Sequence, residues 1–200
     1  MAKYTISAII LAAGTSSRMG QKNKLLLPFG HSSILTTTIQ NVLNTKAITE
    51  TIVVTGFDAE NVECTVSHLP ISIVRNENFN QGMTASIQKG VSYASGQGYL
   101  ILPGDMPFIT SEFLNDAIMF FLKHLVIDPA TISRPIAKGI HKHPVIFSSF
   151  YKNEILSHKQ MNGCKGIIDR NKQHVYLFEN DNDLMFRDID SPEDYENYRK

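Results

Sequence analysis

Four stretches carry side chains suited to anions or cations, and most of them follow an apolar run of strand length. The first is "LAAGTSSRMGQKNKLLLP", residues 11–28, where Gly14, Arg18, Lys22 and Lys24 come after "ISAIILA" at 6–12. The second, residues 76–86, follows "ISIVRN" and holds Gly82 and Ser86. The third is "PGDMP", with Asp105 at the end of "YLILPGD". The fourth is "DIDSPED", with Asp188 and Asp190. Together they suit the handling of a nucleoside triphosphate. Backbone N–H groups of a glycine-containing loop can wrap a polyphosphate. Arg18 can contact it bidentately and Lys24 as a point charge. Carboxylates from separate strand ends can hold Mg²⁺, which takes oxygen ligands and bridges to substrate phosphates. There it acts as a Lewis acid on phosphorus. Phosphoryl chemistry needs little beyond such positioning and charge stabilisation.

Two common phosphate loops are excluded. G-x-x-x-x-G-K-[ST] is absent, because Gly14 and Gly20 have the wrong spacing and Gln21 follows. No G-x-G-x-x-G follows the first apolar run either, which argues against a dinucleotide oxidoreductase or a plain Rossmann binding module.

The elements that must position these residues can be read from periodicity. Residues 6–12, 51–56, 71–76 and 99–105 read as strands; the first is apolar enough to be buried on both faces. Ser32 or Ser33 can cap a helix with apolar positions Ile34, Leu35, Ile39, Val42 and Leu43. A second helix runs through Met83, Ile87 and Val91 after Gly82, and a third, the most amphipathic, spans 113–125. Strands alternating with helices predict right-handed βαβ units and a sheet covered on both sides. In such sheets ligands gather at the carboxyl ends of the strands, where all four stretches lie. Beyond residue 128 the pattern is less regular. "ATISRPI", "HPVIFSS", "HVYLF" and "FRDID" read as strands, and 149–157 and 164–171 as helices. A last helix starts at Ser191-Pro192-Glu193-Asp194, with a serine cap, proline at the first position and acids in the first turn. The expected fold class is α/β: three αβα layers around a Rossmann-like, mixed but mostly parallel sheet, in one domain over residues 1–200.

Composition limits the partners. Lys+Arg and Asp+Glu are both 19, so the formal net charge is zero. That disfavours a nucleic-acid or membrane-surface protein, and any positive site must be local. Cys64 and Cys164 form no metal-binding spacing and no disulfide framework. A reducing compartment and a cytoplasmic location are expected, and no apolar run is long enough to span a bilayer.

"LAAGTSSRMG…NKLLLPFG" resembles the LAAGxSxRMG…K signature of nucleotidyltransferases with the nucleotide-diphospho-sugar transferase type of fold. Within them the chain is most similar to molybdenum cofactor cytidylyltransferases, relatives of the molybdopterin-guanine dinucleotide synthases. The G-M-x-x-S block of "NFNQGMTASIQKG" (78–90), "GDMP" (104–107), "HPVIF" (143–147) and "DIDSPEDY" (188–195) match in type and order. The resemblance covers nearly the whole chain. It implies that Leu11, Ala12, Ala13 and Gly14 contact base and sugar, and that Arg18 and Lys24 bind the triphosphate. It also implies that Gly82 and Ser86 seat the nucleoside and that Gly104, in the same turn as Asp105, is a further binding residue. Asp105 and Asp190 would ligate Mg²⁺, and His143 would face the acceptor. Catalytic roles fall to Arg18, Lys24 and Asp105. Reading LAAG rather than LAGG implies CTP rather than GTP. The implied acceptor is molybdopterin, with a molybdoenzyme as a downstream partner.

Three positions depart from the family pattern. Cys164, in "GCKG", stands where an Asp is usual, Lys142 replaces the Gly before His-Pro, and the gap from Gly20 to Lys24 is one residue longer. The residues alone leave other readings open. These are nucleotidyl transfer from GTP, transfer to a sugar or alcohol phosphate, and non-catalytic binding and delivery of a pterin cofactor.

Overall fold

An apolar first strand needs cover on both faces, and β1 (Ile6–Ala12) receives it, with five of its first six side chains wholly or nearly inaccessible. The computed structural model describes residues 4–16 and 23–198. A short hairpin, β2 (Pro28–Phe29) and β3 (Ser32–Ser33), leads into α1 (Ile34–Leu43). Ser33 caps α1 as its residue type predicts, its Oγ accepting from the Thr36 N–H at 3.1 Å. Then come β4 (Glu50–Thr55), α2 (Ala59–Val66), β5 (Ser72–Arg75), α3 (Met83–Tyr93), β6 (Gly98–Pro103) and α4 (Ser111–Leu125). The second half contributes β7 (Ile132–Ala137), β8 (Ile140–His141), β9 (Val145–Ser148), α5 (Lys152–Ser157), α6 (Lys165–Arg170), β10 (Val175–Glu179) and α7 (Pro192–Tyr198).

The main sheet has the order β10-β7-β9-β6-β1-β4-β5, with β8 paired to β7. β5, β4, β1 and β6 run parallel, as do β7 and β10, whereas β9 lies antiparallel between β6 and β7. From β1 the chain winds outward through β4 to β5, then α3 carries it back to β6 on the other side of β1. The order therefore reverses between β1 and β6, and the crevice at their carboxyl ends is the expected ligand position.

Alternate residues of β1 feed two cores. Ile6, Ala8, Ile10 and Ala12 pack with α1, α2 and α4 through Leu35, Ile39, Val62, Phe113 and Phe121. Ile9 packs on the other face with Val54, Tyr99 and Ile101 against α3, α5 and α6. This is the three-layer arrangement that the strand–helix alternation predicts. Among the described residues no helix is long and apolar enough to cross a membrane.

One expected strand is absent. "FRDID" continues from a 3-10 turn at Asp183–Phe186 and pairs with no strand, although the outer edge of β10 carries no partner strand among the described residues. Packing holds it instead. Met185, Phe186 and Ile189 are buried, and the Ile189 N–H donates to the Asp105 carbonyl at 3.2 Å. α7 then anchors the end of the segment. The Ser191 N–H donates to Asp194 Oδ2 at 2.8 Å and the Asp194 N–H returns a bond to Ser191 Oγ at 3.1 Å, a reciprocal cap. Tyr195 OH reaches the Pro28 carbonyl at 2.8 Å.

Ser33→Ala removes the α1 cap, and urea unfolding is expected to show a loss of about 1 kcal/mol. A loss below a few tenths would mean that core packing alone sets where α1 begins.

Candidate active site

The carboxyl ends of β1 and β6 open into a cavity of about 740 Å³. Leu11, Ala13, Gly14, Lys24, Gly82 and Ser86 line it, and so do Asp105, His143 and Asp190. Ala12 does not. It is wholly buried under α1 and α4, because the side chain after Leu11 must point to the opposite face of the sheet. Gly104 is buried behind the wall rather than in it. A Cβ there would meet Leu35 Cδ1 at 2.9 Å and the Leu11 carbonyl at 3.0 Å, so glycine lets the β6 turn close on β1. Arg18 and Lys22 lie outside the described residues.

Lys24 is held by its neighbours in sequence. Asn23 is buried, and its Oδ1 accepts from the Leu25 N–H at 3.1 Å, capping the short 3-10 turn Lys24–Leu26. Asn23 Nδ2 donates to Asp58 Oδ2 at 3.2 Å, and Ser16 Oγ accepts the Lys24 N–H at 3.2 Å. Buried Leu25 anchors the turn in the core. These supports escaped the sequence reading, although an asparagine directly before a short apolar turn is a capping signal.

Lys24 Nζ lies 2.5 Å from Asp105 Oδ2 and 2.6 Å from Asp190 Oδ1. Residues 81 and 166 positions away thus meet on one ammonium. Burial by itself would lower the Lys24 pKa, but the two carboxylates outweigh it and hold the ammonium above its ordinary value. Asp188 joins the same charge cluster. Burial raises its pKa first, and the nearby Asp190 and Asp105 carboxylates raise it further. Asp105 keeps a second oxygen, Oδ1, buried without a hydrogen-bond partner.

Two opposed carboxylates, one with an unused oxygen, make a donor set that fits a hard divalent cation. Among the described residues no three of His, Cys, Asp and Glu converge closely enough to hold a metal unaided. Such an ion would draw its remaining ligands from substrate phosphates and water, the usual arrangement for Mg²⁺.

The opposite wall is shaped for close approach. A Cβ on Gly14 would meet nothing within 4 Å, so this glycine satisfies no packing demand and leaves open space beside the cavity. Gly82 is different: its φ is +89°, and a Cβ would come 2.7 Å from the Met161 carbonyl. It starts α3 and brings Ser86 one turn later onto the cavity, where Ser86 Oγ accepts from Asn76 Nδ2 at 3.1 Å.

His143 closes the far end, its Nδ1 buried without a partner. Burial and the Arg134 guanidinium push its pKa down to about 4, against the opposing pull of Asp188. It is a neutral imidazole at pH 7. Cys164 is buried, and burial pushes its thiol up to about 12, which leaves no thiolate for nucleophilic chemistry.

The profile of the MobA-like NTP transferase domain matches residues 8–175. The chain belongs to the MobA-like NTP transferase family. It is similar to the molybdenum cofactor cytidylyltransferase of Escherichia coli K12, with 29% identity over 95% of this chain and 93% of the relative. It is also similar to a probable molybdenum cofactor guanylyltransferase of Natranaerobius thermophilus, at 26% identity over 98% of this chain and 95% of the relative. Among solved structures, a nucleotidyl transferase from Methanothermobacter superposes with a TM-score of 0.83 at 26% identity, covering 97% of this chain and 95% of the other. The protein is an enzyme of the nucleotidyltransferase class with the nucleotide-diphospho-sugar transferase fold.

The neutral state of His143 has a consequence for stability. Its pKa falls from 6.5 in the unfolded chain to about 4 in the fold, so the unfolded chain binds the proton first. The stability that goes with the neutral ring is complete above pH 6.5 and is lost as pH falls toward 4. Denaturant titrations from pH 7 to 4 should show His143→Gln losing less stability than the wild type across that window. Arg134 and Asp188, which face His143, are common to both proteins. A wild-type-to-variant difference that stays constant with pH would contradict the assignment.

Proposed function

We propose that the protein is a divalent-metal-dependent cytidylyltransferase that moves CMP from CTP to the phosphate of a molybdopterin-type acceptor. The observation that carries the reading is the meeting of Lys24, Asp105 and Asp190 at the β1–β6 crevice. Support for the base and the acceptor comes from the similarity to the Escherichia coli cytidylyltransferase over almost the full length of both chains. Residues 1–200 act as one nucleotidyltransferase domain. With two free cysteines, one of them exposed, the protein suits a reducing cytoplasm.

Leu11, Ala13 and Gly14 form the wall for base and sugar, and Gly82 and Ser86 seat the nucleoside from the α3 side. Asp105 and Asp190 are the residues that would hold Mg²⁺, which supplies Lewis-acid polarisation of the α-phosphate when bound. Lys24 neutralises those carboxylates in the free enzyme and would be free to bind the triphosphate were a metal ion held there. Arg18, outside the described residues, adds its charge to the triphosphate. An acceptor phosphate oxygen forms the new bond to the α-phosphorus, and the bond to the bridging oxygen breaks. Pyrophosphate leaves with the electron pair. The acceptor phosphate is already anionic at neutral pH, so no general base is needed, and the neutral His143 is not required to supply a proton.

Asp105→Asn keeps the size of the side chain and removes its charge. Turnover in a pyrophosphate-release assay should fall by ~10²–10³-fold, the scale of losing one preorganised electrostatic contact, with the thermal melt still cooperative. Normal turnover at saturating Mg²⁺ would remove Asp105 from the reaction.

Thermal shift with CTP, GTP, ATP and UTP, each with and without Mg²⁺, reads the base directly. A ligand at about 100 times its Kd adds about 2.7 kcal/mol. CTP with Mg²⁺ should give the largest shift, and a larger shift with GTP would replace cytidylyl by guanylyl transfer.

A further inference from the structure

A second cavity, about 620 Å³, adjoins the first, and His141, His143 and Met83 line both. Its walls are largely apolar, with Ile87, Ile101, Val145, Phe147, Val175 and Leu177 from α3, β6, β9 and β10. The charges on it are unbalanced. Arg134, Lys165 and Lys172 face a single carboxylate among the described residues, Asp169.

Arg134 feels the Asp169 carboxylate across the cavity, but its hydrogen bonding is incomplete. It projects from β7, a central strand of the sheet's second half, and its Nε is buried without a hydrogen-bond partner. A guanidinium is always charged and offers a planar fork of donors. Burying one of those donors unpaired is unfavourable unless something else completes it. Arg134 also lowers the pKa of both His141 and His143, so its field reaches the junction of the two cavities. The first cavity differs in charge: among the described residues Lys24 and Lys142 face Asp105, Asp188 and Asp190. One compartment is rich in carboxylates, and the next is apolar with a cationic centre.

We propose that Arg134 is a specificity-determining residue for the acceptor, binding a second anionic group carried on a largely apolar, ring-containing acceptor body. The inference rests on the transfer reading for the direction in which the acceptor lies. The acceptor's phosphate reaches the first cavity past His143, its body fills the second, and Arg134 selects molecules that carry another negative charge there. Sugar phosphates, with neutral hydroxylated bodies, gain nothing from Arg134 and lose hydrogen bonds against the apolar walls.

Two pterins test this on the full-length enzyme by equilibrium dialysis read through pterin fluorescence. 6-Carboxypterin carries the anion, and 6-hydroxymethylpterin has the same ring without it. The wild type should bind the carboxylate form at least tenfold more tightly, and the preference should shrink as salt is raised. Arg134→Gln should abolish the preference, and Arg134→Lys should keep part of it. Equal binding of the two probes, binding of neither, or a preference unchanged in Arg134→Gln would overturn the proposal. If the glutamine variant folds poorly, Lys165→Gln and Lys172→Gln decide the matter: both should keep the salt-sensitive preference, and its loss in either would assign it to a lysine and overturn the proposal. Pyrophosphate release by the wild type with CTP and molybdopterin is scored separately. Its failure alongside charge-dependent pterin binding removes the transfer reading and leaves the subsite standing. Success without that binding does the reverse.

Discussion

Two ionised carboxylates cannot share a partly buried corner without a cation between them. Asp105 and Asp190 do share one, and Lys24 is the cation. All three side chains keep a quarter or less of their surface in solvent, so water screens the cluster only in part. Much of the surrounding structure serves this arrangement. The Asn23 cap and buried Leu25 fix the lysine. The β6 turn, closed on β1 through Gly104, fixes Asp105. Asp190 arrives on a segment without regular structure, held by Ile189 and by the reciprocal cap of α7.

Much of the parallel half of the sheet was legible because β1, β4 and β6 are apolar on both faces and α1, α3 and α4 are periodic; α2, which starts after Asp58 without a side-chain cap bond, was not. The same logic puts Lys24 and Asp105 on one rim; Asp190 joins them on a segment that is not the strand expected there. What periodicity could not show was pairing. "FRDID" reads as a short strand, yet its apolar residues Phe186 and Ile189 both turn into the core and the segment pairs with no strand, and pairing is a property of the whole topology. Ala12 was assigned to the nucleotide with its neighbours, although alternation along β1 already turns every second side chain into the core. Asn23 and Arg134 depend on contacts across the fold, and neither belongs to a motif long enough to be noticed.

The two cavities differ in charge and polarity. The first is rich in carboxylates and open beside Gly14. The second is largely apolar and lined by Arg134, and under the proposed transfer it would take the body of the acceptor. Between them His143 is neutral, so it separates the compartments without adding charge to either. Cys164 lies in the second wall as a small buried group, and its raised pKa keeps it out of the chemistry.

The central claim is that Lys24 stands in for a metal while the enzyme is empty. Calorimetric titration of the nucleotide-free protein with Mg²⁺ tests it most directly, comparing the wild type with Lys24→Met. If the ammonium competes for Asp105 and Asp190, the variant binds Mg²⁺ at least tenfold more tightly than the wild type, even though it has lost a triphosphate ligand. Equal or weaker Mg²⁺ binding by Lys24→Met would show that these carboxylates are not the metal site.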